Sequence, residues 1–236
     1  MNGNKYFIPG ADKQLNHLLN YFEPRNKKIL VVGSGCEEFA KIFHQLGVAE
    51  VYHVVEDNDS LLRARIALTD FKQIQTRLME FDNLDFIQPK FDLVFAQASV
   101  SNKRRNKIIK ELKRISVERA IISIGELVNL SEDVPAFVNE AWERSSISPL
   151  FKSEIQNYYT DRKFEVMAFS DLSYTLTNFY KESKRMLETA LGQLAEDEKK
   201  YYKKLLKKIS HESNVYLDLG GDKFMGFVSL VLRKVQ

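Results

Sequence analysis

The chain has 236 residues, of which 44% are hydrophobic, and its formal net charge is +3. This length suffices for one well-packed core but is short for two independent ones, so we expect a single domain. The apolar runs at residues 29–32 and 120–124 fall far short of the roughly 20 residues that a membrane-spanning helix needs, so we expect no membrane span. The sole cysteine, Cys36, excludes an intrachain disulfide and a thiolate metal cluster.

The remaining ionisable residues indicate neither a metal site nor a nucleic-acid surface. The four histidines are scattered without the spacing of a metal-binding helix, so we predict no metal site. Two basic segments, residues 103–114 and 199–208, interleave apolar residues at helical spacing, which favours solvated helix faces over a phosphate-binding patch. Residues 1–9 lack the pattern of an export leader, so we expect a cytoplasmic protein.

Short apolar runs alternate with helical patterns through the first half of the chain. The predicted strands comprise residues 28–32, 50–55, 76–81, 91–96 and 119–124. Continuous apolar runs such as KILVV are typical of parallel strands buried on both faces. Strands separated by helices predict an α/β fold with a doubly wound sheet and helices on both faces.

The second half has a different pattern. Residues 127–162 read as a helix plus a loop, too polar for the main sheet, and we interpret them as an insertion near the strand tips. A strand at residues 163–169, a long helical region at residues 176–210 and a final strand at residues 224–232 follow. We therefore expect one domain over residues 1–236.

Two features in the first unit of this pattern indicate a ligand site. The turn Gly33, Ser34 and Gly35 joins a strand to a helix, where bare backbone can approach an anionic group, although a plain tight turn has the same sequence. Glu56 follows the next strand and can accept hydrogen bonds from both hydroxyls of a ribose. The alternative is that this acidic turn only caps the next helix, and we expect Asp57 to cap while Glu56 faces the ligand.

These motifs, ILVVGSGCEEFA and VVEDND, resemble those of the class I S-adenosylmethionine-dependent methyltransferases. The resemblance implies a Rossmann-like, mostly parallel, seven-stranded sheet whose last strand is antiparallel. It also implies that the cofactor is S-adenosylmethionine and that the glycines line its methionine part, while Glu56 binds its ribose. The cofactor site that it implies in this region comprises Gly33, Ser34, Gly35, Glu56 and Asp57.

Two later segments extend the resemblance. LMEFDNLDF is similar to the family's acidic loop after the third strand, which implies that Glu80, Phe81 and Asp82 border the adenine, with either carboxylate beside its amino group. FDLVFAQASV is similar to the fourth strand, which places Gln97 near the sulfonium as a cofactor ligand. Polar residues at strand tips and in the insertion are candidates for acting on the acceptor. The catalytic candidates are Gln97, Glu126 and Tyr158.

The N-terminal segment indicates the kind of acceptor. YFIPGADKQLNHLL resembles the helix that covers the cofactor in several small-molecule methyltransferases, so we expect a lid within residues 1–25 and a small-molecule methyl acceptor. Nucleic acid is disfavoured because no Asp/Asn-Pro-Pro-aromatic turn follows the fourth strand.

Three positions depart from a cofactor fingerprint. Val31 stands where the first motif usually has an acidic residue, and Glu37 stands at its third glycine. These departures keep two alternatives open, a protein that binds S-adenosylmethionine without turnover and an RNA methyltransferase. A dinucleotide dehydrogenase is less favoured, because Glu38 replaces the last glycine of that fingerprint.

Overall fold

A computed structural model describes residues 6–193 and 196–235 of the chain. Eight strands in this part of the chain form one sheet, and helices pack on both of its faces. The strands are β1 (Lys28–Val32), β2 (Glu50–Val55), β3 (Ile74–Leu78), β4 (Phe91–Gln97), β5 (Ser116–Asn129), β6 (Leu150–Phe151), β7 (Phe164–Asp171) and β8 (Met225–Lys234). The helices are α1 (Lys13–Leu19), α2 (Glu37–Gln45), α3 (Asn58–Ala67), α4 (Arg105–Ile115), α5 (Ala136–Arg144), α6 (Ile155–Thr160), α7 (Thr175–Gln193) and α8 (Glu196–Leu217).

The strand order is β3-β2-β1-β4-β5-β8-β7, and the short β6 pairs with β5 outside this path. Strands β1 to β5 run parallel, whereas β8 is antiparallel to both β5 and β7. The prediction of a doubly wound, mostly parallel sheet with an antiparallel last strand is confirmed. The seven predicted strands correspond to the seven strands in this order, and β6 is an additional one. Since β1 to β5 are parallel, the ends of β1, β2 and β4 meet at one edge of the sheet.

Alternating residues of the central strands fill two cores. In β1, Ile29 and Val31 belong to the core that contains α1 and α2 residues, whereas Leu30 and Val32 belong to the core with α4 and α6 residues. Burial on both faces is what a central parallel strand requires. Cys36 joins the first core, and burial raises the pKa of its thiol, so it is not a reactive nucleophile.

The structure corrects the interpretation of residues 127–162. Strand β5 continues to Asn129, and β6 pairs with its end, so part of the segment belongs to the main sheet. The reason is long-range pairing, because Leu127 and Val128 are buried and lie opposite Phe227 and Gly226 of β8. The rest of the segment forms α5 and α6.

Other differences are smaller. The predicted helical region at residues 176–210 is two helices, α7 and α8, and the third strand begins two residues before the predicted residue 76. Residues 1–5 of the expected lid, the last residue of the expected domain and most side chains of the basic segment 199–208 lie outside the described part. No described helix is both long enough and apolar enough to cross a membrane.

Candidate ligand-binding site

Two cavities lie at the edge of the sheet where β1, β2 and β4 end. The smaller has a volume of about 590 Å³ and is lined by the glycine turn, the N-terminal segment and residues of α7. The larger, about 1050 Å³, is lined by residues after β4 and by the turn after α5. Ala98 and Ser99 line both cavities, so the two adjoin. This position lies between β1 and β4, where the sheet reverses its winding and α/β proteins commonly bind ligands.

The glycine turn presents bare backbone to the smaller cavity. Gly33 has φ +124° and Gly35 has φ +82°, backbone conformations that residues with a Cβ rarely adopt. A Cβ at Gly33 would also lie 3.2 Å from the Cβ of Ser99. Ser34 is exposed between them. The turn therefore leaves room for a ligand directly ahead of the N-terminus of α2.

The buried side chain of His53 contacts the backbone of this turn. Its Nε2 lies 2.9 Å from the carbonyl oxygen of Gly33, and its ring is fully buried. Burial lowers the pKa of His53, so the imidazole is neutral at neutral pH and Nε2–H donates to that carbonyl. Sequence reasoning gave His53 no role beyond packing, and no local motif distinguishes it.

The structure explains the residues found at the two positions that depart from the methyltransferase motif, Val31 and Glu37. Val31 is buried in the core beside α2, so its apolar side chain suits its surroundings. Glu37 lies in the first turn of α2, where a carboxylate interacts favourably with the positive end of the helix dipole.

In the acidic turn after β2, Asp57 caps the next helix, as predicted, and Glu56 lines both cavities. Asp57 accepts hydrogen bonds from the backbone N–H and the hydroxyl of Ser60, both at 2.7 Å, and so caps α3. Burial alone would raise the pKa of Asp57, but these bonds lower it overall. Ser34 joins this cap, since its hydroxyl donates to Ser60 at 2.8 Å. Glu56 is left facing both cavities, and it accepts a bond of 2.7 Å from the backbone N–H of Phe81.

Arg104 binds three carboxylates at this edge. Its Nη2 lies 2.7 and 2.6 Å from the two oxygens of Glu56. Its Nη1 lies 2.8 Å from Glu80 and 2.8 Å from Asp82. The bonds from Glu56 make the largest contribution to a raised pKa of Arg104. Both candidate adenine carboxylates are thus present, and both contact the same guanidinium.

This contact corrects the expectation for the basic segment 103–114. Arg104, Arg105 and Arg114 each form an ion pair with a carboxylate of the protein, so the segment is more than a solvated face. Sequence reasoning did not select Arg104. The sequence did contain one signal for such a residue. Acidic residues cluster after two neighbouring strands, and a nearby cation would offset their mutual repulsion.

Gln97 ties the N-terminal segment to the end of β4. Its Nε2 donates to the carbonyl oxygens of Pro9 at 2.7 Å and Ala11 at 2.9 Å. Gln97 is among the residues that line the smaller cavity, it is 1% exposed, and its buried Oε1 has no hydrogen-bond partner among the described residues. The next residue, Ala98, has φ +52°, a strained conformation of the kind that concentrates at functional sites.

Glu126 and Tyr158 are absent from the linings of both cavities. Glu126 is fully buried and accepts hydrogen bonds from Arg105 at 2.8 Å, from Ser101 at 3.1 Å and from the hydroxyl of Tyr159. The hydroxyl of Tyr158 donates to Asn106, and its ring lies under the guanidinium of Arg162. Of the three catalytic candidates, the linings of the two cavities include only Gln97.

Comparisons with known proteins agree with this architecture. Residues 30–124 match a family model described as a methyltransferase domain. No curated protein sequence matches the chain. The matched residues run from β1 to β5 and include the glycine turn, Glu56 and Gln97. The resemblance to the class I, Rossmann-like methyltransferases is therefore confirmed at the level of this domain and its fold.

Solved structures extend the match to nearly the whole chain. A putative sarcosine dimethylglycine methyltransferase from Galdieria sulphuraria is 13% identical with a TM-score of 0.76, and the match covers 94% of this chain and 84% of that one. The [4+2]-cyclase SpnF is 14% identical with a TM-score of 0.75 over 95% and 81%. A phosphoethanolamine N-methyltransferase from Haemonchus contortus, solved with S-adenosyl-L-methionine, is 14% identical with a TM-score of 0.76 over 99% and 55%.

Proposed function

We propose that the chain binds S-adenosylmethionine in the smaller cavity and transfers its methyl group to a small-molecule acceptor in the larger one. The observation that carries the proposal is the meeting of three features at one cavity. These are the bare glycine turn, the residue Glu56 and the residue Gln97, whose buried Oε1 has no hydrogen-bond partner among the described residues. The cavity's volume of about 590 Å³ lies within the range of small-ligand sites.

The residues present fit this cofactor. The turn at Gly33 and Gly35 would hold its methionine part, and Oε1 of Gln97 would accept a hydrogen bond from its amino group. A buried acceptor without a partner is costly, so a ligand N–H at this position would be favourable. Glu56 would bind the ribose, and Phe81 with Asp82 would border the adenine. Arg104 must first leave Glu56.

The chain's own contribution to methyl transfer is alignment. S-adenosylmethionine, when bound, supplies a methyl group on an electrophilic sulfonium. Gln97 donates hydrogen bonds to two backbone carbonyls, so its position is fixed and it can orient groups in the smaller cavity, which residues 7–9 also line. Catalytic roles for Glu126 and Tyr158 stay predictions. The contacts of Glu126 suit positioning, since it accepts a hydrogen bond from Ser101, which lines the larger cavity.

Two observations support a small acceptor over RNA. The arginines of the segment 103–114 are engaged in ion pairs within the protein, which removes them from a phosphate-binding surface. The larger cavity is lined by Trp142 and by the turn after α5, a setting suited to a compact molecule. Two of the similar structures are described as a putative sarcosine dimethylglycine methyltransferase and a phosphoethanolamine N-methyltransferase. A third is described as a cyclase, so the fold alone does not fix the reaction.

Incubation with methyl-tritiated S-adenosylmethionine tests the proposal. Pooled metabolites, tRNA and protein extract are offered separately, with a Glu56→Ala variant as the control for cofactor binding. We expect label in the metabolite fraction, much reduced for the variant. Label in RNA or protein would contradict the small-molecule acceptor. Cofactor binding without label in any fraction would favour a binding protein without turnover.

A further inference from the structure

We infer that Arg104 is a latch that competes with the cofactor's ribose for Glu56. On this view cofactor binding moves the guanidinium off Glu56 while Glu80 and Asp82 retain it. The inference rests on the proposed function, because it takes Glu56 as the ribose-binding carboxylate. It goes further, since it makes the affinity for cofactor depend on a residue outside the family's motifs.

The competition follows from the bonds of Glu56. Nη2 of Arg104 bridges both carboxylate oxygens at 2.7 and 2.6 Å. Oε1 also accepts the backbone N–H of Phe81. Two ribose hydroxyls would have to donate to these same oxygens. The ribose and the guanidinium therefore cannot both have their full set of bonds to Glu56.

Release of Arg104 requires only a side-chain movement. Nη1 remains bonded to Glu80 and Asp82, each at 2.8 Å, when Nη2 gives up Glu56. The side chain of Arg104 is 37% exposed and that of Glu80 is 64% exposed, so the movement disturbs no core packing. The backbone stays anchored, because the N–H of Arg104 donates to the side chain of Asn102 at 2.8 Å.

The contacts of Arg104 also stabilise the site in its ligand-free state. Oxygens of Glu56, Glu80 and Asp82 lie within 4.8 Å of one another, and Arg104 offsets their mutual repulsion. A site that is closed most of the time has an apparent affinity lowered by its open fraction. Removing the guanidinium should therefore tighten cofactor binding, the opposite of the effect expected for a residue that contacts the cofactor.

Calorimetric titration with S-adenosylhomocysteine, in buffer with EDTA, tests the latch. We expect Arg104→Gln to bind about tenfold more tightly than the wild type, because its open fraction approaches one. Lys107→Gln removes an equal charge one helical turn away, on an exposed residue that lines neither cavity, and should leave the affinity unchanged. Circular dichroism checks that each variant is folded, and Arg104→Lys, which lacks the forked guanidinium, should show an intermediate gain.

A second arm ties the effect to Glu56. In a Glu56→Gln background the Arg104→Gln substitution should no longer tighten binding, which a double-mutant cycle measures directly. Equal or weaker binding by Arg104→Gln, beside a wild type that binds, would overturn the latch and leave the proposed function standing. An equal gain from Lys107→Gln would also overturn it, since charge alone would then be the cause. Absence of binding by every folded variant would overturn both proposals.

Discussion

Replacing Glu126 with alanine is expected to lower the free energy of unfolding by about 3–5 kcal/mol. The reason is that Arg105, whose side chain is only 8% exposed, would be left as a buried charge without its carboxylate. Ser101 and Tyr159 would lose their acceptor in the same step. Denaturant unfolding followed by circular dichroism measures the loss.

An exposed ion pair provides the matched control. Glu140 and Arg144 form a salt bridge on the surface of α5 with both side chains more than half exposed, so Glu140→Ala should cost far less. A loss for Glu126→Ala as small as that for Glu140→Ala would contradict the buried network. If Glu126→Gln folded with full stability but lost turnover, the catalytic role predicted for Glu126 would gain support.

The Glu56→Ala variant is expected to bind S-adenosylhomocysteine tenfold to a hundredfold more weakly than the wild type, because one hydrogen bond to a charged group is worth about 1.5–3 kcal/mol. The lower end of this range is expected, because the variant also loses the competing contact with Arg104. The free energy of unfolding should change little, since Glu56 is part of the cavity lining and of no core. Calorimetry and thermal unfolding measure the two quantities separately.

The neighbouring carboxylate gives a control with the opposite pattern. Asp57→Ala removes the cap of α3, so it should reduce stability by about 0.5–2 kcal/mol while affecting affinity less. An unchanged dissociation constant for Glu56→Ala would remove Glu56 from the site. A reversal of the two patterns would assign ribose binding to Asp57.

Local signals in the sequence were sufficient for the parallel half of the fold. Strands β1 and β2 are short, mostly apolar runs ended by turn residues, and their predicted bounds agree with the observed ones. The capping role of Asp57 also followed from local rules, because a helix cap needs a short acceptor three residues before its donor. These features depend on neighbours within a few residues.

Features that depend on distant partners were not predictable in this way. The extension of β5 to Asn129 requires pairing with β8, about a hundred residues further along the chain. Helical periodicity correctly indicated which face of α4 is apolar. It carried no information on the carboxylates that meet Arg104 and Arg105 after folding. The same limit applies to Glu126, which was expected at a strand end beside a pocket. It lies within β5 and pairs with the buried Arg105.

The most direct test of the proposed S-adenosylmethionine site is calorimetric titration of the wild-type chain with S-adenosylhomocysteine and, in parallel, with NAD. Both ligands carry an adenosine ribose that Glu56 could bind, so the comparison reports on the glycine turn and Gln97 as well. We expect measurable binding of S-adenosylhomocysteine and much weaker binding of NAD. Tighter binding of NAD would contradict it.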